Sequence, residues 1–262
     1  MQDRWTAGRQ PVNGAGNIYA NLIDTFAAAL PGVPETKVTV AREVARLLAR
    51  SIVCADRVID GDVSRTDQVN NVLAAQICQL DATLLLQTLV PPPHSLWAEI
   101  ARRLREFADA CATEAEANAR AALPLREVER IALGKNALAR ITGPLTCAIA
   151  GSEELAVPFD RATADLIVTV QALDDAMDWR IDLSAHRISL ITARVWSRYD
   201  ADTPMDEIAS YVHRHAMREV LLEGEAALSD AIAIPELRAS SSWLALTGRI
   251  ADGYRNVLAA LP

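Results

Sequence analysis

The chain has 262 residues, 51% of them hydrophobic, and a formal net charge of −8. That length allows one large domain with a substantial core and does not call for two. An acidic balance without a basic stripe excludes nucleic acid as a partner. No apolar run reaches transmembrane length, and Met1-Gln-Asp-Arg-Trp-Thr lacks the hydrophobic core of a signal peptide, so a soluble cytoplasmic protein is expected. Cys54, Cys78, Cys111 and Cys147 are widely spaced in apolar helical segments and read as small core residues rather than a disulfide or zinc framework.

In chain order, residues 1–16 are rich in Gly, Pro and Asn and read as a flexible arm, followed by one domain over residues 17–262. Asn17–Leu30 reads as a short helix closed by Pro31-Gly-Val-Pro34, and Thr39–Ile59 as a longer one. Asp67 is the expected cap of a helix running to about Val90, where Pro91-Pro-Pro93 stops it, and Ser95 the cap of the next, to about Leu123. On that helix Arg102, Arg103 and Arg105 read as a solvated face. A helix over Arg126–Ile141 carries Lys135 and ends at Thr142-Gly-Pro144; Pro158 opens a long helix that Ser184–Arg187 interrupts. Ile188–Tyr199, Pro204–Asp230 and Ala239–Leu261 complete an all-α reading, since no stretch alternates with period two.

Chemistry concentrates at two helix ends. After the apolar run Leu166–Leu173, Asp174, Asp178 and Asp182 recur every four residues and share one helical face, with Asp175 beside them. Like charges at that spacing repel, and a divalent cation relieves the repulsion; hard oxygen ligands suit Mg²⁺, which completes its shell with water and substrate phosphate. Upstream, the amphipathic segment Val40–Ala55 runs into Asp56-Arg-Val-Ile-Asp60-Gly-Asp62, where two aspartates again stand four apart. Two such helix ends facing one another would form a mouth for metal and diphosphate.

Gln171-Ala-Leu-Asp174-Asp175-Ala-Met-Asp178 resembles the second aspartate-rich motif of the trans-isoprenyl diphosphate synthases, FQ-x-x-D-D-x-x-D, with Val170 in place of Phe. Asp56–Arg65 resembles the first motif, D-D-x-x-D-G-D-x-x-R-R-G, with Arg57 at the second aspartate, and Gly134-Lys135-Asn136-Ala137 resembles the segment whose lysine grips diphosphate. The resemblance to this family and to the related class I terpene synthases implies one large antiparallel helical bundle of the isoprenoid synthase type with a central cavity. It implies Asp56, Asp60, Asp174, Asp175 and Asp178 as metal ligands, with Asp56, Asp60, Asp174 and Asp178 catalytic. Arg65, Lys135, Gln171, Arg180 and Arg187 would bind diphosphate. Three Mg²⁺ ions with bound diphosphate, an allylic isoprenyl diphosphate as substrate and room for a homodimer follow from the same resemblance. Ser51, Ile52, Ala55, Val170 and Trp179 are the expected pocket wall, with Phe159 the other aromatic near the motif.

Two departures point to one substrate rather than two. The G-G-K-R-x-R-P motif for the homoallylic diphosphate is absent, and the paired arginines after the first motif are reduced to Arg65-Thr66. The expected activity is a Mg²⁺-dependent terpene synthase ionising a C15 to C25 allylic diphosphate to a hydrocarbon or alcohol. The alternatives are a prenyltransferase that elongates the allylic diphosphate with isopentenyl diphosphate, and a non-catalytic partner subunit, for which Arg57 speaks. Arg194 is a further arginine that could reach phosphate, and His186 a cap or surface residue. Tyr254-Arg255 could fold back over the mouth.

Overall fold

The structure is a computed structural model that describes residues 15–59, 61, 63–118, 123–200 and 202–261. The expected arm therefore lies outside the described residues except at Ala15 and Gly16, where the first helix already begins. Among the described residues all regular structure is helical: α1 Ala15–Ala29, α2 Glu35–Ile59, α3 Arg65–Leu89, α4 Ser95–Asn118, α5 Leu125–Lys135, α6 Thr142–Ala150, α7 Ala156–Ser184, α8 Leu190–Trp196, α9 Met205–Tyr211, α10 Met217–Ile232 and α11 Ser241–Ala260. A π-helical turn, Val212–Ala216, joins α9 to α10.

The chain divides into two compact units, residues 1–104 with 138–160, and residues 105–137 with 161–262. In the first, α2 packs against α1 and α3, and α6 against α1 and α2. The reason lies in α2, where Val38, Ala41, Val44, Ala45, Leu48 and Ile52 recur at helical spacing and are all buried. Phe26 of α1 stacks on Phe159 at 4.7 Å between ring centroids, which makes Phe159 plain core of this unit.

Arg103 corrects the expectation of a solvated arginine face. Its side chain is buried; Nε donates to Glu99 at 2.7 Å and Nη2 to Asp160 at 2.7 Å, while Arg140 holds the same Asp160. Burying a guanidinium is tolerable only with such partners. The helix starts also differ from expectation. Ser64, not Asp67, caps α3 by accepting from the Asp67 N–H, and at α4 the Nδ1 of His94 accepts from the Leu96 N–H. Lys135 ends α5, six residues before the expected end at Ile141, and Thr142-Gly-Pro144 opens α6 rather than closing a helix: proline in a first turn lacks only an N–H that has no intrahelical partner.

In the second unit Trp179, Ile191, Val212, Val220, Leu221 and Tyr254 belong to one buried cluster. Tyr254 is core rather than a flap: it is buried, and its hydroxyl donates to the Thr169 carbonyl at 2.6 Å. The four cysteines are all buried and free, as their sequence context implied. Length and composition make α3 a helix that could cross a membrane, which the reading of the sequence had excluded.

Candidate functional site

α7 presents the aspartates of the second motif, and Asp182 after it, as a graded set. Asp174 and Asp178 are exposed, Asp182 is half-buried and Asp175 is buried. Desolvation first, and then the charge of Asp178 one turn away, raise the pKa of Asp174. Asp182 is pushed up to about 6, chiefly by burial, with a Ser189 hydrogen bond opposing and the Asp178 charge adding. A carboxylate pair one turn apart on a helix, in which the charge of one raises the proton affinity of the other, is a natural seat for a hard cation, and Mg²⁺ usually takes one or two carboxylates and completes its shell elsewhere. Asp174 and Asp178 fit that role. Among the described residues no three His, Cys, Asp or Glu side chains converge as a ready-made cage.

Asp175 is engaged by two hydrogen bonds. Its Oδ1 accepts from Nε2 of Gln171 at 2.6 Å and its Oδ2 from the Leu190 N–H at 2.6 Å, so both oxygens are engaged inside the second unit. Burial pushes it up to about 7 against the pull of those two bonds. Leu190 is the first residue of α8, whose Ser189 and Thr192 form a capping box; Asp175 thus satisfies one more of the N–H groups a helix start leaves open. Gln171 points its amide along α7 at Asp175.

His186 lies past the end of α7 with φ 53°, a left-handed conformation of the kind that terminates helices, and Arg187 N–H returns to the Asp182 carbonyl at 2.8 Å. Arg187 contributes a charge that lowers Asp182. Arg180 is exposed and stacks over Trp179 at 4.8 Å, and Trp179 is buried edge-on to His213. Arg194 is not a loose phosphate ligand: it is buried, with Glu223 at 2.6 Å and Glu219 at 3.3 Å. Val170 is half-buried on α7.

Lys135 is held by Glu114 of α4, with Nζ to Oε2 at 2.7 Å. Gly134 makes that approach possible, since a Cβ there would meet the Ala110 Cβ at 2.5 Å. Glu114 was not singled out in the sequence; it lies 21 positions from Lys135 and only the crossing of α4 and α5 joins them.

In the first unit Asp56 lies near the C-terminal end of α2, with buried Ser51 and Ile52 and half-buried Ala55 on the turns before it. Tyr19 of α1 is its missed neighbour. Burial, and then the charge of Asp56, push the Tyr19 phenol well above its usual range. Arg57 and Arg65 are exposed. Asp60 lies outside the described residues. A separate cavity of about 160 Å³ in the second unit is lined by Arg198, Tyr199, Glu207, Ser210, Tyr211, Arg214 and His215, none of them a motif residue.

Among the described residues the regular structure is wholly helical, with Asp56 late in α2 and Asp174 and Asp178 in the second half of α7. Neither a family model nor a curated protein matches the chain. Solved structures do. A geranylgeranyl pyrophosphate synthetase from the archaeon Geoglobus acetivorans superposes with a TM-score of 0.79 at 16% identity, over 94% of this chain and 88% of that one. The octaprenyl pyrophosphate synthase of Helicobacter pylori gives 0.75 at 10% identity, over 95% and 91%. A geranyltranstransferase of Thermotoga maritima gives 0.69 at 15%, over 94% and 87%. At such identities the likeness is one of fold.

Proposed function

We propose that this chain is a prenyl diphosphate synthase that binds an allylic isoprenyl diphosphate at the carboxylate face of α7 and extends it with isopentenyl diphosphate. The observation that carries the reading is the exposed pair Asp174 and Asp178, one turn apart in the second half of α7 just after its apolar stretch Leu166–Leu173, in a fold whose solved examples named above are prenyl synthases. This favours elongation over the one-substrate activity expected from the sequence. Mg²⁺, held by Asp174 and Asp178, would neutralise the charge that builds on the departing diphosphate. Lys135 donates to diphosphate oxygen while Glu114 keeps its ammonium from wandering, and Arg180 and Arg187 add cationic donors beside α7. Asp175 contributes indirectly by fixing α8 against α7.

A second reading, a terpene synthase that consumes the allylic diphosphate alone, is favoured by one specific observation: the G-G-K-R-x-R-P motif is missing and only Arg65 remains of the arginine pair. Purified protein incubated with Mg²⁺ and C10, C15 or C20 allylic diphosphate, with and without isopentenyl diphosphate, separates the two. A diphosphate lengthened by five carbons supports elongation; a hydrocarbon or alcohol formed equally well without isopentenyl diphosphate supports ionisation alone. A folded protein that turns over none of these substrates overturns both.

A further inference from the structure

The cleft between the end of α8 and the π-helical turn after α9 lies wholly within the second unit, and no aspartate of the motifs lines it. Arg198 and Tyr199 follow the end of α8. Facing them, Glu207, Ser210, Tyr211, Arg214 and His215 recur at three- and four-residue spacings along α9 and the π turn. Turns of that kind are rare and occur mostly at functional sites. Tyr199 and Tyr211 meet edge to face at 5.4 Å between ring centroids, and Tyr211 lies 5.8 Å from His215. The Arg198 guanidinium sits over both tyrosines, 5.0 Å from the Tyr211 centroid and 5.8 Å from that of Tyr199. Stacking fixes its plane and leaves the N–H groups at its edge open to an acceptor.

The polar groups that line the cleft identify what it takes. Neither Arg198 nor Arg214 has a carboxylate within ion-pair distance among the described residues, in contrast to Arg194, which Glu219 and Glu223 hold one turn earlier. Two arginines and one glutamate line the cleft, while Asp200, Asp202 and Asp206 of the same stretch do not. Its volume of about 160 Å³ is well under the roughly 300 Å³ at which pockets begin to hold drug-sized molecules, so the occupant is a small anion. Burial, and then the Glu219 charge, raise the Tyr211 phenol against the pull of Arg198 and Arg194, so its hydroxyl stays a donor. With Ser210, the two guanidinium forks bring about six donors, more than the roughly four lone-pair sites of a carboxylate and suited to the oxygens of a phosphate. A nucleobase gains no platform here, because the tyrosine rings already meet Arg198 and each other.

We propose that this cleft is a binding site for a phosphate dianion, free or carried by a small ester, with Arg198 and Arg214 as its principal donors. The proposal is independent of which diphosphate chemistry the protein performs. Its test is a titration of inorganic phosphate into the isotope-labelled full chain without any divalent cation, so that Asp174 and Asp178 cannot recruit the anion through metal. At constant ionic strength the amide signals of Arg198, Tyr211, Arg214 and His215 should shift saturably, and chloride should leave them unmoved. Arg198→Gln combined with Arg214→Gln should weaken binding by about tenfold or more. Both arginines are exposed, so the other signals should remain those of the folded chain; should the double variant misfold, Arg214→Gln alone reads the loss. Glu207→Gln removes a carboxylate from the wall and should tighten binding by about threefold. Arg249→Gln, at an exposed arginine of α11, should change nothing. Glycerol phosphate separates the two sources: tighter binding than inorganic phosphate marks an ester as the ligand, weaker or equal binding marks the free ion, and either supports the site. An absence of saturable shifts, shifts that survive loss of both arginines, an equal response to chloride, or weaker binding by Glu207→Gln would each overturn the proposal.

Discussion

Gly224 sits on α10 where a side chain has no room. A Cβ added there would lie 1.9 Å from the Tyr254 hydroxyl, 2.8 Å from the Ala172 Cβ and 2.9 Å from the Tyr254 Cζ. Tyr254 cannot swing aside into solvent, because it is 1% exposed, and its hydroxyl holds the Thr169 carbonyl on α7. The Thr169 hydroxyl in turn donates to the Gly224 carbonyl at 3.1 Å, so α10, α11 and α7 meet at one point, about one turn before Asp174. Gly224→Ala therefore either drives the phenol off its acceptor or pushes α11 away. Overpacking costs about 1–3 kcal/mol, and a buried hydroxyl left without its partner about 1–3 more. The better helix propensity of alanine returns about 1 kcal/mol. A net loss of about 3 kcal/mol corresponds to a fall in Tm of roughly 6–12 °C for a chain of this size. Urea and thermal unfolding of wild type, Gly224→Ala, Tyr254→Phe and the double variant measure it. In the Tyr254→Phe background the nearest clash is gone, so Gly224→Ala should cost about 1–2 kcal/mol less there. A Gly224→Ala protein as stable as wild type, or costs that simply add, would refute the reasoning.

Asp174→Ala and Asp178→Ala should abolish diphosphate release while leaving helical circular dichroism intact, because both side chains are exposed; loss of the fold would reassign them to a structural role. Mg²⁺ binding, followed by titration calorimetry, should weaken as pH falls from 7 to 5, since Asp174 is raised and a protonated carboxyl is a poor ligand, while protonation of Asp182 near 6 removes a negative charge beside the pair. The metal-free chain should show the opposite trend. Asp175 has a folded-state value of about 7, above its ordinary 3.8, so its contribution to stability is present in full below 3.8 and is lost as pH rises through 7; the urea midpoint should rise on going from pH 8 to pH 5. Arg103→Met should cost about 1–3 kcal/mol, because Glu99 and Asp160 lose the buried donor they share and keep only Arg102 and Arg140. A loss below 1 kcal/mol in urea would show that water or Arg140 fully substitutes.

The helical class and most helix bodies could be read from the chain because both rest on local periodicity. The apolar recurrence in α2 and the aspartates spaced by four on α7 are properties of one segment and need no partner. The proline and glycine breaks after α1 and α3 and the interruption at Ser184–Arg187 came from the same kind of local signal. The fates of individual polar residues depended on neighbours far along the chain. Arg103 reads as a solvated arginine until Asp160, 57 positions away, is set against it, and Arg194 until Glu219 and Glu223 close on it. Asp175 stands in the sequence beside the face that Asp174, Asp178 and Asp182 share, and only the return of the chain at Leu190 gives it an N–H to cap. Tyr254 becomes core through an acceptor 85 positions upstream. Sequence spacing determines which side chains share a helix face; whether that face meets water, a counter-charge or another helix is decided by which helices pack together, and that is a property of the tertiary structure alone.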